Sequence, residues 1–302
     1  MTNKQGLYLT IFLFCFILVI LFAKNFIFYI PKIIILVYLI GFAFIFKIQR
    51  KFLNDWFLFL SIVYFSDTLR GLIYWAICKF QFPVYCSYAL NLEKAFFKSI
   101  PSVKLQQLLL ATREIGWTEK FLTALHGTHF IAFLLVGFCL WLRNEHCFEK
   151  FKCSFYLLLA GGLSGYFSIP TAPPWLASEM FHLIPPLRHF NLEIYNMYIP
   201  DLTSGFNTDP VAAIPSLHAA FPFLCCLLIW KVMKQKGWIF YLYTLLIFFT
   251  IIYTGDHYII DILAGIILAS LSFIGGNIIQ KNLSKRIINP QHQSQQKNVE
   301  HI

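Results

Sequence analysis

Long apolar runs separated by short basic stretches set the pattern of this chain. A helix needs about 20 consecutive apolar residues to cross the hydrocarbon layer of a bilayer. About eight segments approach that length, at 7–23, 26–46, 56–78, 121–142, 153–169, 217–235, 238–254 and 257–279. Composition agrees: 58% of residues are hydrophobic, 19% aromatic and only 13% charged, where a soluble domain carries about a quarter charged. The pattern predicts an all-α, polytopic membrane helical bundle. The first run is expected to remain as an anchor, because Phe22-Ala23-Lys24-Asn25-Phe26 offers no small-residue cleavage site for a signal peptide.

The formal charge of +10 would suggest a nucleic-acid partner in a soluble protein. Its placement excludes that reading. Lys4, then Lys47, Arg50 and Lys51, then Arg143, Lys150 and Lys152, then Lys231, Lys234 and Lys236, then Lys281, Lys285 and Arg286 all fall on one side of an eight-span arrangement. By the positive-inside rule that side is the cytoplasm, so both termini are expected there. The opposite face receives the long connections 79–120 and 170–216 and the turn around Gly255. Within the first of these, Lys104 to Glu114 mixes leucines with polar residues and predicts a helix lying on the outer surface. Beyond residue 280 the chain is polar and rich in Gln, Asn and Lys, and is expected to be disordered. The expected organisation is a two-span extension over 1–50, a catalytic membrane domain over 51–280 and a cytoplasmic tail over 281–302.

Two polar islands interrupt the apolar pattern. Pro215-Ser216-Leu217-His218 opens the sixth run, and Gly255-Asp256-His257-Tyr258-Ile259-Ile260-Asp261 opens the eighth. Ionisable groups near a bilayer are costly and mark function by default. Both islands arise at the non-cytoplasmic face, so they can meet, and the four-residue spacing puts His257 and Asp261 on one helical face. No GxSxG, P-loop, HExxH or dinucleotide fingerprint is present. Two imidazoles and a carboxylate suit phosphoryl transfer: one imidazole attacks phosphorus, the carboxylate fixes its tautomer, and the other imidazole handles the proton. Free N–H groups at the start of the sixth run, with the Ser216 hydroxyl, would suit a phosphate. Tyr166-Phe167-Ser168-Ile169-Pro170-Thr171-Ala172-Pro173-Pro174-Trp175-Leu176 reaches the same face. Its prolines build a rigid cavity wall or simply end a helix.

These strings in this order resemble the type 2 phosphatidic acid phosphatase superfamily, and within it the inositol phosphorylceramide synthase-like branch. The matching stretches are Pro170 to Trp175, Asp209 to His218 and Gly255 to Gly265, with looser similarity at Asn54-Asp55-Trp56, Arg70-Gly71, His129-Phe130 and Leu140 to Arg143. The resemblance implies a six-helix core, His257 as nucleophile forming a phosphohistidine, Asp261 as its orienting carboxylate and His218 as general acid and base, without a metal or cofactor. It also exposes a departure. Thr250-Ile251 stand where the phosphatases carry Ser-Arg, and the PTAPPW stretch supplies no cation.

Phosphate charge must then be met elsewhere. Arg70, within the third run, is the first candidate, although Asp67 three residues earlier could neutralise it structurally. Arg188 and His189 are the next, or else loop charges. Asp256 either tunes the site or caps the last helix. His126 and His129 stand three apart, and His129 is expected to line the pocket. No cysteine or carboxylate cluster joins them, so no metal site is assigned. The eight cysteines show no paired framework. The expected partners are the bilayer, a phospholipid or sphingolipid substrate, and an alcohol or water acceptor. An alcohol acceptor makes the protein a head-group phosphotransferase and water makes it a lipid phosphate phosphatase, while a non-catalytic transporter or scaffold is the rival class. A bacterial inner membrane with an outward-facing site fits these features.

Overall fold

A computed structural model describes residues 49–110, 114–198, 209–233 and 237–288, together with Gly41 and Phe44. The runs expected at 7–23 and 26–46, and the tail beyond 288, lie outside the described residues. Among the described residues the regular structure is helical: α1 Gln49–Phe80, α2 Ser87–Phe97, α3 Pro101–Leu109, α4 Trp117–Arg143, α5 Glu145–Ser168, α6 Pro174–Glu179, α7 Phe190–Tyr198, α8 Leu217–Met233, α9 Trp238–Tyr253 and α10 Ile259–Ile288. β pairing there is confined to isolated bridges.

Each of the six later apolar runs is a helix, but they differ in span. Lys51–Phe80 and Ile259–Ser284 are long and apolar enough to cross a bilayer alone, and α4, bent by 46° between His129 and Ile131, adds a third if taken as one span. The 17 residues of α8 reach only about 25 Å, short of a layer of about 30 Å. The last helix continues to Ile288, so 281–288 are helical and not part of a disordered tail.

The bundle packs around α5, which lies against α1, α4 and α10. Trp56, Phe59, Phe133, Phe148, Phe151 and Phe155 are fully or almost fully buried there, with Trp56 and Phe148 rings 4.8 Å apart and Phe151 and Phe155 rings 4.5 Å apart. Such aromatic payloads dominate a core. Two of the looser motifs belong to this layer, since the Trp141 Nε1–H donates to the Asp55 carboxylate at 2.7 Å. They hold α1 to α4 at the end of the bundle away from the two histidine motifs.

At the other end the connections fold back as short helices. α3 replaces the surface helix expected over 104–114 and starts earlier, with Pro101 at its first turn, where a missing N–H costs nothing. Its buried Gln106 donates to the Arg188 and Tyr253 carbonyls and accepts from the Arg188 N–H. The irregular PTAPPW backbone is satisfied by protein: Thr171 N–H donates to Val211 O, Ala213 N–H to Thr171 O, Tyr85 N–H to Pro170 O and Ala172 N–H to Tyr85 O. It is therefore stitched between two connections where α5 ends. Trp175 N–H donates to Gly255 O at 3.0 Å, which ties this stretch to the second histidine motif.

Candidate active site

Local chain chemistry places each motif residue. Ser216 caps α8, its hydroxyl oxygen accepting the Ala219 N–H at 3.2 Å, so His218 lies in the first turn. Gly255 ends α9 with φ of +79°. Its N–H bonds Ile252 O and the Asp256 N–H bonds Ile251 O, the paired closure of a Schellman turn that needs a left-handed residue. His257 follows with its N–H also on Ile251 O. It therefore precedes α10 and does not share a helical face with Asp261. The two meet because Asp261, in the first turn of α10, reaches back: its Oδ2 accepts the Tyr258 N–H at 2.9 Å and lies 3.5 Å from His257 Nδ1. Gly265 closes the assembly, since a Cβ there would stand 2.4 Å from the Ser216 carbonyl oxygen. The α8 and α10 starts can approach only over a glycine.

The result is a line of three groups. Asp261, fully buried, backs His257 Nδ1, and His257 Nε2 faces His218 Nδ1 at 2.8 Å. His129 packs edge-on against His218 with ring centroids 4.4 Å apart, and His126 lies 4.9 Å from His218. A cavity beside them is lined by Arg70, Asp67, His129, Tyr166 and His218, between α1, α4, α5 and α8.

The charged candidates divide. Arg70 stands 3.9 Å from Asp67 and its guanidinium lies 5.7 Å from the Tyr166 ring centroid. It lines the same cavity as His218 while standing beside Asp67. Burial pushes the nearby Asp209 carboxyl up to about 6, against the pull of Arg70 and the Val211 N–H. Arg188 instead forms a forked ion pair with Glu193, both contacts at 2.6 Å, and Glu193 holds its guanidinium pKa above the ordinary value.

Asp256 does not cap α10. Its carboxylate accepts from His189 and Asn191 at 2.9 Å and from the Thr254 hydroxyl at 2.6 Å, with His126 Nε2 at 3.7 Å. Burial would raise its pKa, but His189, through hydrogen bond and charge, together with His126 and Thr254, holds it below the carboxylate range. His189 also stacks on Trp175 at 4.7 Å. Asp256 thus brings three segments together beside His257: its own turn, residues 189–191 and α4.

Glu93 is a site neighbour that no motif signalled. From α2 it accepts the Ile259 N–H at 2.7 Å, at the positive end of α10. Burial raises its pKa from 4.5 to about 7, against that hydrogen bond and with a further push from Asp261. A carboxyl raised in the folded state stabilises the protein fully below its unfolded pKa and loses that contribution as pH climbs to the folded value. The melting temperature should therefore fall between about pH 4.5 and 7, and Glu93→Gln should flatten that part of the profile. Thermal unfolding of purified protein across this range checks it, and an unchanged slope in the variant refutes it.

Comparison with known proteins adds what geometry alone does not. A model of the PAP2 superfamily matches residues 100–275, more than half of the chain, and includes both histidine motifs. The chain belongs to the PAP2 superfamily. That membership supports an enzyme, a phosphotransferase or phosphatase. Among curated proteins it is 33% identical over 154 residues to a phosphoinositol dihydroceramide synthase of Bacteroides thetaiotaomicron, covering 47% of this chain and 50% of that protein. It is 29% identical over 123 residues to the catalytic subunit of inositol phosphorylceramide synthase of Schizosaccharomyces pombe, covering 35% of this chain and 27% of the relative. The chain thus spans half the length of the first relative or less. No solved structure matches.

Proposed function

We propose that this PAP2 superfamily member is an integral-membrane head-group phosphotransferase that moves a phosphoinositol unit from a phospholipid to the hydroxyl of a ceramide-type lipid. The observation that carries the reading is the line His218, His257, Asp261, in the superfamily's motif order and beside a cavity that holds an arginine. The names of both relatives supply the head group and acceptor class.

In this reading the donor phosphorus enters between the two imidazoles. His257 Nε2 attacks it, and the P–O bond to the diacylglycerol oxygen breaks. The proton of His218 Nδ1, hydrogen-bonded to His257 in the resting state, passes to that leaving oxygen. Asp261 keeps the Nδ1 proton of His257 in place and stabilises the cation that forms. His218, now neutral, takes the proton of the acceptor hydroxyl, whose oxygen attacks phosphorus and releases His257. Arg70 and His129 meet the phosphate charge from the cavity wall, while Ser216 and Asp256 fix the two histidine-bearing turns. Arg188 stays with Glu193 and shapes the loop.

The wider arrangement is part of the same proposal: about eight spans with a six-helix core, a two-span extension over 1–50, both termini cytoplasmic and the site facing outward in a bacterial inner membrane. Basic-residue placement supports it. Arg70→Ala should lower kcat/KM by about 10²–10³-fold, the scale of losing a preorganised charge partner. Arg70→Lys should restore little, because an ammonium lacks the planar fork. The test of the function is purified protein with headgroup-labelled phosphatidylinositol, with and without ceramide. Label appearing on ceramide supports transfer. Label released only as water-soluble inositol phosphate establishes the phosphatase reading in its place.

A further inference from the structure

The superfamily chemistry uses two imidazoles, yet four come together here. His126 and His129 project from consecutive turns of α4, and His218 from the first turn of α8. One ligand nitrogen of each lies within 4.8 Å of the others. His126 and His129 are 8% and 2% exposed. Neither ring nitrogen of His126 makes a hydrogen bond, although it is buried. A buried imidazole without a hydrogen bond is costly in a low-dielectric site unless something binds it.

His129 Nδ1 meets the His126 carbonyl oxygen, the kind of outer neighbour that a metal-bound histidine uses to fix its tautomer. His126 Nε2 stands 3.7 Å from the Asp256 carboxylate, and His218 Nδ1 meets His257. We propose that His126, His129 and His218 form a three-histidine site for a zinc-class divalent transition ion, and that occupation of it inhibits the enzyme. Zinc bonds to imidazole nitrogen at about 2.0–2.1 Å in a tetrahedron, which needs ligand nitrogens about 3.4 Å apart. The three nitrogens lie within 4.8 Å of one another, so on the proposal ring rotation brings them closer by up to about 1.4 Å to reach that spacing. The ion would leave one position for water or a phosphate oxygen.

Inhibition follows because an ion on His218 Nε2 takes the place of the second ring proton, so the ring can no longer be the imidazolium that gives its Nδ1 proton to the leaving oxygen. That half of the proposal rests on the function proposed above, whereas binding rests on the side-chain cluster alone. Imidazole ligands select the ions: Cu²⁺ should bind more tightly than Ni²⁺, Co²⁺ or Zn²⁺, and Mg²⁺ and Ca²⁺, which demand oxygen ligands, should not bind.

The test is Co²⁺ titration of purified wild-type, His126→Gln and His257→Ala proteins in detergent, read by visible absorption, with Zn²⁺ competition. Wild type and His257→Ala should each give the intense spectrum of a tetrahedral nitrogen site at one ion per chain, displaced by Zn²⁺. His126→Gln should need at least about tenfold more metal, the scale of losing a ligand or its support. In parallel, Zn²⁺ should abolish wild-type turnover and a chelator should restore it. No tetrahedral spectrum in wild type, or an unchanged one in His126→Gln, overturns the site. A normal spectrum with unaffected turnover overturns the inhibition, and inactivity of wild type without added metal refutes the proposed function and leaves the site standing.

Discussion

Alanine in place of His257 should remove the proposed head-group transfer, with turnover falling by on the order of 10⁴–10⁶-fold as the covalent route is lost. The fold should survive this change. Among the described residues the close polar contacts of the His257 side chain are with His218 and Asp261, and its backbone bond to Ile251 O is kept by any residue. Circular dichroism and the elution profile in detergent should match wild type. A variant that still transfers at a comparable rate would remove His257 from the chemistry, whatever its neighbours do.

The second large effect is at His218. His218→Ala should slow transfer by about 10²–10⁴-fold, the worth of a positioned general acid and base. The loss should depend on the leaving group. A donor carrying nitrophenol, which departs without a proton, should restore the first step in His218→Ala and give a burst of nitrophenol, followed by slow discharge to the acceptor. His257→Ala should show no burst with the same donor. Equal rate losses for the lipid and the nitrophenyl donor would show that His218 shapes the site and does not move the proton.

How these residues meet was only partly legible in the sequence. Motif order and the positive-inside pattern brought His218 and His257 to one face, and their 2.8 Å contact agrees with that placement. The HxxxD spacing pointed to the right pair by an incomplete route. Spacing alone cannot tell a helical face from a turn followed by a helix start, and it is the left-handed Gly255 that puts His257 before α10. Position before a helix left a cap as one of two readings of Asp256, whereas its partners His189 and Asn191 stand some 65 residues earlier in the chain. Glu93 carried no signal at all. It sits in an unremarkable surface-type helix, and only the return of the 79–120 connection over the bundle brings it to the α10 N-terminus. Local rules find residues that a motif gathers, and long connections gather the rest.

The motif glycines and aromatics show the same division. Gly265 ends the third motif because the Ser216 backbone passes where a side chain would stand, a packing reason that supports the chemistry from one step away. Asp55, Trp56 and Trp141 belong to the far end of the bundle and hold helices together. Their place in the looser similarity reflects the fold they share and not the reaction. The proposed replacement for the missing phosphatase cations is Arg70, which lines the cavity beside His218 and stands 3.9 Å from Asp67.

The most direct measurement is to trap the intermediate. Purified protein mixed with headgroup-labelled phosphatidylinositol without acceptor, quenched in alkali and digested, should yield one labelled peptide containing His257, with the label stable to alkali, lost in acid, and discharged onto ceramide when that is added before the quench. Label on any other residue, or transfer at full rate with no labelled protein at any time, would contradict a phosphohistidine route through His257.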